Sequence, residues 1–361
     1  MNCCINCFES RYINSIILNN KTIGNCDYCK SQNVSIYEAS ELNRNFAGIL
    51  DLFVVDTENG KPLETQIISD YFSQKVFTQT LIDADNVKQL ISEIIKDDIA
   101  DYQHLLDDPV RLRFQNEQDE EEANQPLFLS WDKFSEEIKN VNRFHLKNPL
   151  DLEKLRKLFR HFQKELYKGK KYYRARISDN PKGYAIGEMG NPPNKSAKSG
   201  RANPNGISYL YLANDILTTL YEVRASLFDY VTVGTFRLEE NIRVINLSHS
   251  TYDIFELAEL EELQSLEEVM IHGSFIDKLE QELSKPRRRS DSELDYLPTQ
   301  YLSELIKSMG FDGIEFKSSL YQSGVNLAIF NPHKFKPLEV SVYDIENIKL
   351  DYTKLETEDT F

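Results

Sequence analysis

All five cysteines of this chain fall within its first 29 residues, and four of them form two pairs of equal spacing, Cys4-x-x-Cys7 and Cys26-x-x-Cys29. A Cys-x-x-Cys turn sets two thiolates on one side of a metal ion, and a second such turn completes the four-sulfur tetrahedron that Zn²⁺ prefers. Gly24 and Asn25, just ahead of the second pair, suit the tight turn this requires. The pattern predicts a closed zinc site on Cys4, Cys7, Cys26 and Cys29. Such a site is structural and staples a segment too short to fold alone. Cys3 is the extra thiol and competes with Cys4 for the first ligand position, although only Cys4 has the two-residue spacing to Cys7. A redox Cys-x-x-Cys expects a βαβ setting that the surrounding sequence lacks. Secreted disulfide proteins spread their cysteines along the chain, so the clustering points to a reducing, cytoplasmic compartment.

The remaining composition narrows the choice of partners. A length of 361 residues implies two or three domains. The net charge of −16 argues against nucleic acid as the main partner, because duplex binding needs a basic face that displaces counterions. The start, MNCCINCFES, has no apolar run of signal-peptide length, and no stretch anywhere is apolar over membrane-spanning length, so no membrane partner is expected. The six histidines show neither H-x-x-H nor HExxH spacing and are expected to be structural or exposed.

Along the chain, residues 1–35 form the four-cysteine module and 36–165 a mainly helical extension. Val87, Leu90, Ile91, Ile94 and Ile95 recur there at helical spacing. QNEQDEEEANQ at 115–125 is expected to be a solvated acidic loop. Asp151 can cap a helix with Leu152, Leu155, Leu158, Phe159, Phe162 and Leu166 on one face, ended by Gly169. From there the character changes to short β-type runs, among them YYRARI, YLYLA, YVTVGTF, VINL, GIEF and NLAIF. Helical segments and Pro/Gly/Asn-rich loops separate them. Residues 166–345 are therefore expected to form a mixed α+β domain, followed by a polar tail, 346–361. Lys285-Pro-Arg-Arg-Arg289 is expected to be an exposed basic loop.

The most informative stretch runs from Lys171 to Ala225. A strand ending in arginines, YYRAR, leads through a loop containing GRANPNG to a strand with Tyr209 and Tyr211. A helix capped by Asn214 or Asp215 and bearing Glu222 follows. A loop that polar beside strand-end Arg and Tyr is where a binding site would sit. The segment 298–332 adds a helix, a Gly turn, a strand, a Ser-rich loop and a strand.

The ordered set YRAR, GRANPNG, LYLA, TLYEVR, TQYL, GFDGIEFKSS and GVNLAIF resembles the RES family over about residues 170–335. The N-terminal half resembles the HEPN/RES N-terminal extension found ahead of some RES domains. The resemblance implies a domain similar to the ADP-ribosyltransferase fold, and a toxin of a toxin–antitoxin pair that consumes NAD⁺ by breaking its nicotinamide–ribose bond. Phosphate or water would be the acceptor, and a cognate antitoxin the protein partner. Carried onto this sequence, the family arginine falls on Arg174, the tyrosine on Tyr211, the glutamate on Glu222, and the serine on Ser318 or its neighbour Ser319.

Each residue type suits such a role. Arginine grips phosphate oxygens through two parallel hydrogen bonds. A carboxylate at Glu222 can stabilise the positive charge that builds on the ribose. Tyr211 offers a ring face for nicotinamide and a polar tip. Ser318 can hydrogen-bond the ribose or an incoming phosphate. Arg201, in the GRANPNG loop, can bind a second anion such as inorganic phosphate. Two other functions fit less of the pattern: ADP-ribosylation of a protein target, and a catalytically inactive, zinc-dependent binding module.

Overall fold

The computed structural model describes residues 1–68, 76–113, 131–147, 150–248, 253–260, 263–286, 292–321 and 323–349. The acidic stretch 115–125, the arginines of the 285–289 run and most of the polar tail lie outside these residues. The chain divides into two compact units, one of Met1–Phe162 with His249–Leu279, the other of Gln163–Ser248 with Glu280–Phe361. Among the described residues no helix is long and apolar enough to cross a membrane.

The first unit begins with a three-stranded sheet of order β1 (Asn2–Cys4), β3 (Val34–Glu38), β2 (Ile23–Gly24). A second small sheet pairs β4 (Phe53–Val55) with β5 (Val110–Leu112). Helix α1 (Arg11–Asn19) follows the first cysteine pair. Its cap, Ser10, accepts from the Ile13 amide at 2.9 Å and donates its own hydroxyl to Asp253 at 2.7 Å. Ile13 and Ile17 of α1 are buried in one apolar core with Phe46 of α2 (Asn43–Leu50) and with Leu90, Ile91 and Ile94 of α3 (Val87–Ile94). Phe46 and Phe255 pack with ring centroids 4.8 Å apart. The cysteine module is thus part of a larger core and has an amphipathic helix of its own. The expected helical spacing at Val87–Ile95 is realised in α3.

The helix expected to run toward Gly169 stops earlier. Asp151 caps α4 (Leu152–His161), accepting from the amides of Glu153 and Lys154 at 3.1 and 3.0 Å. Gln163–Leu166 then form strand β6, so Leu166 belongs to a sheet core and not to the helix face. The cause lies beyond the segment: Ile242–Asn246 pairs with it, Leu166 opposite Ile242. Tertiary pairing has overridden helical spacing here.

The second unit is built on an eight-stranded sheet. In chain order after β6 its strands are β7 (Lys171–Ser178), β8 (Leu210–Ala213), β9 (Tyr230–Leu238), β10 (Ile242–Asn246), β11 (Gly313–Lys317), β12 (Val325–Ile329) and β13 (Phe335–Asp344). Their spatial order is β13-β9-β7-β8-β12-β11-β10-β6. Every neighbouring pair is antiparallel except β10 with β11. This is the mixed α+β architecture expected, with two strands, β6 and β13, that the sequence reading omitted. β13 has the alternating run Leu338, Val340, Val342, but Lys336 and Pro337 near its start argue against a strand in sequence, and its register slips between Pro337 and Glu339. Pro337 cannot donate to the ladder, so it is tolerated at an edge with a bulge.

Two apolar clusters sandwich this sheet. One gathers Tyr172, Met189, Leu210, Leu212, Phe236, Leu327 and others. The second joins Ala175, Val231 and Val233 to Ile216, Leu220 and Val223 of helix α5 (Ile216–Glu222) and the turn after it. Asp215 caps α5, accepting from the Thr218 amide at 2.8 Å. Arg224, at φ +54°, ends it: a left-handed residue just past the C-cap cannot continue a helix. Helix α6 (Leu297–Ser308) lies in the TQYL region.

Candidate active site

β7 and β8 are paired at a single position, Tyr173 opposite Ala213. Past that pair the two strands have no ladder bonds in common, and both of them border a cavity of about 560 Å³. Its wall includes Arg174 from β7, Tyr211 from β8, Glu222 and Arg224 from the end of α5, and Arg201 from the GRANPNG loop. Ser319, Asn326 and Lys285 complete the polar part. Among the described residues, four cationic residues and one carboxylate thus line one space in a chain of net charge −16, and Lys285 is paired with Glu282 at 3.6 Å.

Arg174 is the side chain most in want of a ligand. Its Nε is buried and has no hydrogen-bond partner among the described residues. Burial, and then the nearby Arg176 charge, lower its pKa from the ordinary guanidinium value, while Tyr211 acts in the opposite sense. A buried, under-solvated cation of this kind is stabilised by an anion that supplies both charge and acceptors.

Glu222 is held from one side. The Ser318 hydroxyl donates to its Oε1 at 2.6 Å, and the Asn326 amide donates to the same oxygen at 2.7 Å. Ser318 is buried and meets the carboxylate directly, whereas Ser319 lines the cavity and donates its hydroxyl to the Ser284 carbonyl at 2.5 Å. The two adjacent serines thus have different tasks.

The polar tip of Tyr211 is already engaged. Its hydroxyl donates to Asn203 Oδ1 at 2.8 Å and accepts weakly from the Ala202 amide at 3.4 Å, which leaves the ring rather than the tip for a ligand. Burial pushes the phenol above its usual range, so it stays protonated. Asn203 is the pin of the GRANPNG loop: its amide donates to the carbonyls of Lys198, Pro204 and Ile207 at 3.0, 3.2 and 2.9 Å. Gly200 is required beside it, since a Cβ there would lie 2.5 Å from Asn203 Oδ1.

From α6, Gln300 donates to Ser199 Oγ, the Gly200 carbonyl and the Asn203 carbonyl at 2.8, 2.7 and 3.1 Å. Thr299 donates to the Arg201 carbonyl at 2.5 Å. Arg201 itself donates to the Glu282 carbonyl at 3.0 Å and stacks 4.9 Å from the Tyr296 ring centroid. Asn203, Thr299, Gln300, Arg224 and Asn326 were not singled out from sequence. The one available signal was a buried-face glutamine within the amphipathic TQYL helix.

These elements coincide with a family description. The model of the RES domain matches residues 171–352, about half of the chain. The chain belongs to the RES domain family. Ahead of its RES domain, residues 19–151 match the HEPN/RES N-terminal domain 1. The strands that flank the cavity and all of Arg174, Arg201, Tyr211, Glu222, Ser318 and Ser319 lie inside the RES match. No curated protein matches the chain. One solved structure, the M. tuberculosis MbcT–MbcA toxin–antitoxin complex, contains a chain that is 13% identical with a TM-score of 0.32, over 53% of this chain and 92% of that one. That likeness is too slight to add to the family assignment.

In the first unit, the sulfurs of Cys4, Cys7, Cys26 and Cys29 all lie within 4.8 Å of one another, and all four residues are buried. The Cys4–Cys29 and Cys7–Cys26 separations are 3.4 Å and the Cys4–Cys7 separation 3.9 Å. A tetrahedral zinc with bonds of about 2.3 Å has sulfur–sulfur edges of about 3.8 Å, so the donor set fits that ion. Hydrogen bonds with Cys26 and Cys4 push the Cys7 thiol up, and hydrogen bonds from Cys4 and Cys7 pull Cys26 down. Sulfurs this close cannot all carry thiolate charge unless a cation lies among them, and a divalent metal ion would take the place of their protons. Cys3 stands apart, its sulfur 3.4 Å from the Tyr37 carbonyl.

Proposed function

We propose that the RES domain breaks the nicotinamide–ribose bond of NAD⁺ and transfers the ADP-ribosyl group to inorganic phosphate. It would act as a cytoplasmic toxin that depletes NAD⁺ and is restrained by a cognate antitoxin. The observation that supports this is the meeting of Arg174, Tyr211 and Glu222, with Ser318 and Ser319, around one cavity in a RES domain. In this reading the diphosphate of NAD⁺ supplies the acceptor that the buried Nε of Arg174 lacks. The Tyr211 ring takes the nicotinamide, and the open side of the Glu222 carboxylate faces the ribose.

The carbon–nitrogen bond breaks with its electron pair leaving on neutral nicotinamide, and a phosphate oxygen forms the new bond to the same ribose carbon. Phosphate is favoured over water by the cationic character of the wall, where Arg201, Arg224 and Lys285 stand beside Arg174 and Lys285 is paired with Glu282 at 3.6 Å. An attacking dianion gains more from such a field than neutral water does. Cys4, Cys7, Cys26 and Cys29 would hold one Zn²⁺, whose task is to fix the fold around it.

The test is to incubate the pure protein with NAD⁺, with and without phosphate, and to identify products by mass. Nicotinamide with ADP-ribose-1″-phosphate is the expected pair. ADP-ribose formed regardless of phosphate would replace phosphorolysis by hydrolysis. Mass added to a protein would favour a transferase. Undiminished NAD⁺ would overturn the reading.

A further inference from the structure

Glu222 is fixed by two donors that reach the same atom. Ser318 Oγ and Asn326 Nδ2 lie 2.6 and 2.7 Å from Oε1, while Oε2 has no hydrogen-bond partner among the described residues. Both donors are themselves held by neighbouring backbone. Asn326 is buried on β12, with Phe316 of β11 as its register partner on one side and Ala213 of β8 on the other. Ser318 donates its backbone amide to the Gly324 carbonyl at 2.8 Å, and its hydroxyl oxygen accepts from the Leu320 amide at 3.2 Å. That loop closes tightly on α5: a Cβ at Gly324 would lie 2.6 Å from Thr218 Oγ1 and 3.0 Å from Ser318 Cβ.

We propose that Asn326 is a positioning residue, which together with Ser318 pins one oxygen of Glu222 and so turns the other toward the substrate. The inference rests on the NAD⁺ reading and goes beyond it, because it concerns a residue outside the arginine, glutamate and serine of the family pattern. The chemistry of the partners fixes the direction of the bond. A carboxylate only accepts, so the nitrogen of the Asn326 amide must face Glu222. An asparagine offers that donor without a charge. An aspartate in its place would set a second carboxylate beside the first, and two such groups within hydrogen-bond reach share one proton. A carboxylate held at one oxygen keeps its orientation as charge develops on the ribose, which lowers reorganisation in the transition state.

Three proteins test this: wild type, Asn326→Ala and Asn326→Asp. Asn326→Ala is expected to lower kcat by about 10- to 100-fold, the range found for partners that orient a working ligand. KM for NAD⁺ should change little, since the residue is not asked to bind the dinucleotide. Asn326→Asp should move the acid limb of the rate profile upward by about one pH unit or more. A residue needed only for folding would move neither ratio nor profile once matched amounts of folded protein are compared. If kcat and KM shift together, or if the acid limb of Asn326→Asp stays in place, the proposal is overturned while NAD⁺ cleavage stands.

A measurement without turnover separates the two readings. In protein labelled with ¹⁵N-asparagine, the Asn326 side-chain signal is identified by its loss in Asn326→Asp. It should shift clearly in Glu222→Ala. A shift in a protein that leaves NAD⁺ intact supports the positioning contact and overturns the NAD⁺ reading instead. An unmoved signal overturns the positioning role whatever the activity.

Discussion

The four-cysteine cluster and the Arg174–Glu222 cavity are assembled in opposite ways. The first comes from two short turns whose sulfurs face one another and whose side chains are all buried. Its donors are spent on a single point. The second draws on β7, β8, the end of α5 and the loops at 199–206 and 318–324, and it keeps groups in reserve: a buried Arg174 Nε and one unengaged oxygen of Glu222. A site with every donor committed inward can stabilise a fold but has nothing left to offer a substrate. A site that leaves polar groups unpaired bears a cost that only a ligand offsets. On the proposed reading, the first region serves stability and the second chemistry.

The sharpest way to break this contrast is Glu222→Gln, which keeps shape and removes charge. Turnover of NAD⁺ should fall by about 10²–10³-fold with KM nearly unchanged, because the charge acts on the transition state. An unchanged rate would show that the cavity works without its carboxylate. Next is Cys26→Ser. Elemental analysis should find zinc reduced from one per chain to a small residue, and a thermal melt should show the first unit destabilised. Full zinc content in this variant would mean that another donor completes the site.

Arg174→Lys keeps the charge but not the fork, so KM for NAD⁺ should still rise by about tenfold or more in steady-state assays. Gln300→Leu removes the amide that serves three oxygens of the 199–203 segment. It should cost about 1–3 kcal/mol of stability by denaturant melt and raise KM several-fold by loosening the Gly200–Asn203 loop. The smallest effect is one that should not tell the regions apart. Burial raises the phenols of Tyr28 and Tyr102 in the first unit and of Tyr172, Tyr209 and Tyr211 in the second. A phenol with a raised folded pKa contributes its stability below the unfolded value of about 10 and loses it as pH climbs further. Melts should therefore be flat in this respect near neutrality and fall in alkali above about pH 10.

The two regions also differ in how far they could be read from sequence. The cysteine site was legible from spacing alone, because its geometry is set within two tight turns; even the competition from Cys3 is resolved by where β1 directs that thiol. The cavity was legible only as an ordered set of motifs. Taken singly, Arg174 is a strand arginine and Glu222 a helix-end glutamate. The residues that brace them were hidden for a physical reason. Gln300 and Asn326 act through contacts about a hundred residues away, and Asn203 through a loop whose shape spacing does not give, so their motifs locate them without showing what they brace. The same limit explains β6, where a helical spacing at Phe162 and Leu166 lost to pairing with β10.

The sheet of the second unit is open, ending at β6 on one side and β13 on the other. An open sheet exposes rows of unsatisfied amides and carbonyls to any passing strand, and copies of one chain are the most abundant candidates. Both rims are poor templates. β6 is four residues long with Lys164 and Glu165 in its middle, and β13 carries Lys336, Pro337 and a slipped register before Glu339. An incoming strand would meet a missing donor, a kink and buried or repelled charge. The charges of β6 and the proline and register slip of β13 work against a further strand adding at those points of the two rims.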